Sequence, residues 1–91
     1  MKLLQTPIFA RQLKKLHKNQ QKDLDNAIME ILENPEIGSL KKGDLNGVRV
    51  HKFAMVKQLT LLAYEWQKYE QELILLLYMG SHENFYQNLK K

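Results

Sequence analysis

Cysteine is absent from the 91 residues, which excludes a disulfide framework and a thiolate metal site. The absence fits a reducing compartment. No segment is apolar for long enough to cross a bilayer: the longest run, Leu73 to Met79, falls far short of the roughly 20 residues a spanning helix needs. The opening Met1-Lys2-Leu3-Leu4-Gln5-Thr6-Pro7 lacks the extended apolar region and small-residue cleavage site of a secretory signal. Internal repeats, low-complexity tracts and linkers are missing too. What remains is 44% hydrophobic and 26% charged, the balance of a globular chain rather than a disordered one. The expectation is a single cytoplasmic domain over residues 1–91, with no membrane association.

The charge is unbalanced. Lys and Arg number 14 against 10 Asp and Glu, a net +4, and the pI is about 9.4. Between Lys41 and Lys57 lie Lys41, Lys42, Arg49, Lys52 and Lys57, opposed only by Asp44, so this one stretch equals the excess of the whole chain. A local positive field favours a polyanionic or acidic partner. An ordinary solvated basic face has the same composition, and charge alone leaves both readings open.

Periodicity supplies the elements. Thr6-Pro7 reads as an N-cap followed by a proline at the first helical position. Phe9, Leu13 and Leu16 then recur at helical spacing, with Arg11, Lys14, Lys15 and Lys18 on the other faces. Asn19 marks the break before a second helix, whose stripe is Leu24, Ala27, Ile28, Ile31 and Leu32, and Asn34-Pro35 stops it. A short turn between two helices makes an antiparallel hairpin. His17 falls near a helix C-terminus, where a cation suits the dipole, and reads as structural. Residues 34–47 read as a loop that ends in the turn dipeptide Asn46-Gly47.

Beyond Gly47 the period changes to two. Val48 and Val50 alternate with Arg49 and His51, while Leu59 to Trp66 and Glu72 to Met79 are nearly continuous apolar runs, as central strands require. Leu59, Leu61 and Ala63 should share one face, and Thr60, Leu62, Tyr64 and Trp66 the other. Gln67 to Gln71 suits a hairpin loop. Leu3-Leu4 is a short candidate first strand, and His82 to Lys91 suggests a short helical tail. The predicted class is α+β: an N-terminal αα-hairpin packed on an antiparallel sheet, order β-α-α-β-β-β.

That order, in a basic chain of this length, resembles the RelE/ParE superfamily of bacterial type II toxins. Three passages carry the resemblance. Lys42-Gly43-Asp44-Leu45-Asn46-Gly47-Val48-Arg49-Val50-His51 is similar to the family's "L-x-G-x-x-x-G-x-R-x-H" run into the sheet, with Lys42 where Leu is frequent. Leu61-Leu62-Ala63-Tyr64 is similar to its "L-L-I-Y" strand. Gly80-Ser81-His82-Glu83-Asn84-Phe85-Tyr86 resembles the "G-[ST]-H-x-x-[LF]-[FY]" ending of the YafQ-like branch. The resemblance implies a toxin held inactive by a cognate antitoxin protein. In the RelE and YafQ branches it implies cleavage of mRNA in the ribosomal A site, whereas the ParE branch poisons DNA gyrase without nuclease residues.

Metal-free RNA cleavage needs a base at the 2′-OH, an acid at the 5′ oxygen and a cation for the phosphorane charge. It uses no metal and no small-molecule cofactor. Histidine suits acid or base near neutrality, and an aromatic ring can hold an unstacked base. The resemblance gives His82 the principal acid or base role. Arg49 and His51, two apart on one strand, project from one face and offer a cation beside an imidazole. Tyr86 lies four residues after His82 and could stack on a base, as could Phe85. Lys41, Lys42, Lys52 and Lys57 are candidate phosphate contacts. Two features depart from the family pattern. No carboxylate occurs in Phe53-Ala54-Met55-Val56-Lys57-Gln58, where YafQ-like members carry one, and Thr60 and Leu61 stand where RelE-like members carry an arginine. Three functions therefore stand: a ribosome-dependent endonuclease, a gyrase inhibitor, and an antitoxin-binding module with a degenerate site. Met55 and Val56, beside Lys52 and Lys57, would suit the antitoxin.

Overall fold

The computed structural model describes residues 1–81. Its elements are β1 (Lys2–Gln5), α1 (Pro7–Lys14), α2 (Lys18–Glu33), β2 (Ser39–Leu40), a 3₁₀ turn at Gly43–Leu45, β3 (Val48–Met55), β4 (Gln58–Lys68) and β5 (Glu72–Ser81). The αα-hairpin and the three long strands stand where periodicity puts them, so the α+β class holds. The tail from His82 onward lies outside the described residues.

Two details of the sheet differ from the expectation. Its order is β1-β5-β4-β3-β2, and β1 joins β5 in parallel, Lys2 opposite Leu73 and Gln5 opposite Leu76, so the sheet is mixed. The remaining pairs are antiparallel. The two-residue β2, inside the predicted loop, pairs Ser39 with Val50 and Leu40 with Arg49 at the far edge.

Thr6 starts α1 by accepting the Phe9 N–H on its hydroxyl oxygen at 3.1 Å, while the same hydroxyl donates to the Leu77 carbonyl at 2.7 Å. One side chain thus caps the helix and ties it to β5. The interhelical break falls at residues 15–17, not at Asn19, which lies in the first turn of α2. His17 is the N-cap, its N–H donating to Gln20 Oε1 at 2.8 Å, so the C-terminal dipole argument does not apply to it. The helix starts earlier because Gln20, rather than an Asn or Ser cap, supplies the acceptor.

The two helices run in opposite directions across one face. Along α1 the chain follows β5 upward: Thr6 bonds to Leu76 and Leu77, and Gln12 bonds both backbone groups of Met79 at 2.6 and 2.9 Å. Along α2 it returns over β3, from Asp23 near Val56 to Glu30 near His51. Phe9, Leu24, Ile31, Leu62, Tyr64, Ile74, Leu76 and Met79 fill the space between helices and sheet. Val48, Val50, Leu61 and Ala63 form a second buried cluster on the opposite face, with Leu45, Leu77 and Tyr78 against it. A bulge supports that division: Ala63 pairs with Tyr78 but Tyr64 with Leu76, leaving Leu77 unpaired and turned toward the second cluster.

The loop after α2 is pinned by one tyrosine. Tyr64, fully buried, donates its hydroxyl to the Pro35 carbonyl at 2.7 Å and accepts the Gly38 N–H at 3.0 Å.

The β3–β4 hairpin turns through Val56 and Lys57, both left-handed, with φ of 50° and 66°. A two-residue turn of that kind favours Asn-Gly, and a β-branched residue there is strained. Asp23 steadies it by accepting the Val56 N–H at 2.8 Å. Replacing the pair by Asn-Gly (Val56→Asn with Lys57→Gly) is expected to raise the unfolding free energy by about 1–2 kcal/mol. Urea denaturation measures this directly, and an unchanged midpoint would contradict the strain.

Candidate functional site

Arg49, on β3, faces the helices and is committed to the framework. Its Nη1 donates to the Gly38 carbonyl at 3.0 Å and to the Glu36 carbonyl at 3.4 Å, and its guanidinium lies 5.8 Å from the Trp66 ring centroid. The contacts make it, with Tyr64, an anchor of the loop after α2.

His51 points to the same face, as the strand period requires. It is 8% exposed, stacks on Phe53 with ring centroids 6.2 Å apart, and sets Nε2 3.4 Å from Glu30 Oε1. The sequence pattern placed Arg49 and His51 together but did not show that α2 and its following loop cover that face.

Strand register separates these residues from the end of β5. Arg49 is level with Tyr64 and Leu76, and His51 with Leu62 and Met79, whereas Ser81 pairs with Thr60 opposite Phe53. His82 is the residue after Ser81. His82, Phe85 and Tyr86 all lie outside the described residues.

The lysines divide as well. Lys42 is exposed beside the 3₁₀ turn, and Lys41, half-buried, donates its backbone N–H to the Val48 carbonyl at 2.8 Å; both are at the β2 end. Lys52 and Lys57 are exposed at the opposite end, near the hairpin turn. The stretch 41–57 is thus two clusters in space rather than one field.

The larger concentration of charge is elsewhere. Residues 1–22 carry Lys2, Arg11, Lys14, Lys15, Lys18 and Lys22 and no acid, so the other eight cations and ten acids net to two negative. A windowed count of charge would have found this; looking for cations near the histidine motifs did not. Four of the six meet at the corner between the helices. Gln12 ties α1 to Met79, and Asp23 ties α2 to Val56, so Lys14, Lys15, Lys18 and Lys22 stand over the end of the sheet where β5 finishes and Lys57 turns. All five of these lysines are exposed.

At the other end, a shallow depression of about 480 Å³ is lined by Gly47, Glu65, Trp66, Gln67, Lys68 and Tyr69. Trp66 carries Lys68 Nζ 4.1 Å from its ring centroid and donates Nε1–H to Glu72 at 3.0 Å. Among the described residues no three His, Asp or Glu side chains group as a metal site would require. No helix there is long and apolar enough to cross a membrane.

The described residues thus form a helical hairpin on one face of a five-stranded mixed sheet, with a cationic corner at the end of β5. The chain belongs to the ParE-like toxins of type II bacterial toxin–antitoxin systems, whose family profile matches residues 3–90. Two solved structures are similar to it. One is the crystal structure of the intact E. coli RelBE toxin–antitoxin complex, at 20% identity over 90% of this chain and 96% of that one, with a TM-score of 0.71. The other is a mutant of the E. coli toxin RelE in the free state, at 18% identity over 98% of this chain and 90% of that one, with a TM-score of 0.73. Comparison with curated proteins gives no match.

Proposed function

We propose that this toxin is a metal-free endoribonuclease that cuts mRNA on the ribosome, and that a cognate antitoxin protein holds it inactive. The observation that carries the reading is where β5 ends. Its last residue, Ser81, directly precedes His82 in the chain, and it lies at the end of the sheet overhung by Lys14, Lys15, Lys18 and Lys22. The reading gives proton transfer to the His82 imidazole and leaves the exposed cations at this end of the sheet to hold the phosphate backbone. The fold likeness to RelE, spanning 98% of the chain, supports the same class. In this reading His82 is the general acid or base, Tyr86 or Phe85 holds a base, and Lys57 and Lys52 lie nearest the substrate. Arg49 and His51 act as positioning residues, because their polar atoms already hold the loop after α2 and α2 itself.

A second reading, gyrase inhibition, is favoured by one observation: Arg49 Nη1 is turned to the Gly38 and Glu36 carbonyls, which ties one cation of the nuclease set to the framework. Expression without antitoxin separates the two. The nuclease reading expects growth arrest with new mRNA 5′ ends inside reading frames and intact chromosomal DNA. Intact mRNA with trapped gyrase–DNA cleavage complexes would move the gyrase reading to the front.

A further inference from the structure

We infer that the corner between α1 and α2 is an RNA-docking face, one that grips phosphate backbone independently of sequence and supplies affinity rather than chemistry. The inference rests on the endoribonuclease reading for its choice of polyanion, and it concerns residues outside the proposed catalytic set.

The first argument is distribution. Arg11, Lys14 and Lys15 lie on the side of α1 away from buried Phe9, and Lys18 and Lys22 lie one turn apart on the exposed side of α2. No carboxylate precedes Asp23, which stands at the hairpin edge of the corner with Oδ2 on the Val56 N–H, so cations outnumber acids there. Their field adds to that of Lys57 across the end of the sheet.

The second argument is that local physics opposes this arrangement. Lys18 and Lys22 are like charges at i and i+4, and Lys18 occupies the first turn of a helix, where the dipole is positive. That first turn contains no acid, although acids are the residues that stabilise it. A surface chosen for folding alone would carry Asp or Glu there. Lysines unfavourable to the helix make sense when a bound anion compensates them.

The third argument concerns which anion. The core of a protein interface is apolar, with buried anchor side chains. Between Arg11 and Lys22 no large apolar residue is exposed; Leu13 and Leu16 turn inward against the core. The helix side of the corner therefore offers charge without anchors, and the exposed apolar residues Val56 and Leu59 stand only on its hairpin side. It fits a phosphodiester backbone, whose contacts are electrostatic and need no apolar pocket. An amphipathic protein segment would find more apolar surface at the exposed Leu3, Leu4 and Ile8 of the β1 side than on the helix side of the corner.

The test compares the full chain carrying His82→Ala, which prevents cleavage during binding, with the same chain also carrying Lys14→Gln, Lys15→Gln, Lys18→Gln and Lys22→Gln. Binding of a labelled RNA hairpin and of poly-L-glutamate is titrated between 50 and 200 mM salt. With about 0.7 counterions released per phosphate contact, the quadruple variant is expected to lose about three units of slope in log K against log salt. Its RNA affinity at 100 mM salt is expected to fall by about 100-fold. Its melting temperature should not fall, since the changes remove opposed charges, and this separates lost docking from lost fold. RNA affinity and salt slope equal to the parent's would overturn the proposal. So would loss of poly-L-glutamate binding with RNA binding retained, which assigns the corner to an acidic protein. Because cleavage is not read, the result stands whether or not His82 proves catalytic.

Discussion

Ribosome-bound mRNA cleavage by the His82→Ala variant is expected to be about 10²–10⁴-fold slower than by the wild type in single turnover, the usual worth of a positioned general acid or base. Affinity for the RNA should change little, because the imidazole is assigned to proton transfer and the lysines to phosphate contact. The expected loss therefore falls on the chemical step rather than on substrate binding. The wild-type rate should also change with pH across the range in which histidines titrate, and the variant's residual rate should not follow it. A variant rate within a few-fold of the wild type, on mRNA still cut in frame, would remove His82 from the mechanism. A loss confined to binding would make it a phosphate contact.

The second large effect is structural. Gly38→Ala would place a Cβ 2.8 Å from Tyr64 Oη, 2.9 Å from Tyr64 Cε1 and 3.1 Å from the Val50 carbonyl carbon. Tyr64 cannot retreat, since its ring is wholly buried and its hydroxyl is held from both sides. The substitution is expected to cost about 3 kcal/mol through overpacking and the lost hydrogen bond. Tyr64→Phe removes the hydroxyl alone and strands the buried Gly38 N–H, at a cost of about 1–3 kcal/mol. The double variant should lose less than the two together, because both changes break the same bond and removal of Oη relieves the nearest clash. Urea denaturation of the four proteins gives the cycle, and strict additivity would mean that the clamp is not what Gly38 protects.

Burial sets the sign of a pH effect at the same residue. Desolvation raises the Tyr64 pKa above its ordinary 10.0, outweighing the Gly38 hydrogen bond and the field of Arg49, which both lower it. The fold therefore prefers neutral Tyr64 more than the unfolded chain does. Its contribution is complete below about pH 10 and declines as pH rises through the folded pKa. The stability gap between wild type and Tyr64→Phe should narrow only in that alkaline range.

Much of this fold was legible in the sequence because its elements announce their own periods. Phe9-Leu13-Leu16 and Leu24-Ile28-Ile31 read as helical stripes, and the apolar run Leu59 to Trp66 reads as a strand covered on both faces. The parallel pairing of β1 was not legible, since four residues carry too little pattern and their partner lies some seventy positions away. Nor was β2, whose two residues depend on Val50 and Arg49 for their conformation. At the site, alternation put Arg49 and His51 on one face but is silent on whether that face meets water. Which carbonyls Arg49 would bind depended on how the loop at Glu36–Gly38 folds back, and that is tertiary information. The cationic corner was readable as composition but not as a place, because it forms only where Gln12 and Asp23 fasten the helices to distant strands.

The position of β5 has a consequence for biosynthesis. It lies inside the sheet, between β1 and β4, and it receives α1 as well. It is also the last of the described strands to leave the ribosome. Until it emerges, β1 has no neighbour and α1 no floor, so the earlier parts of the chain wait as unpaired pieces. Closing Lys2 onto Leu73 is a long-range step, entropically late in any folding sequence. Strand order alone therefore keeps this toxin fold unassembled until β5 has been made.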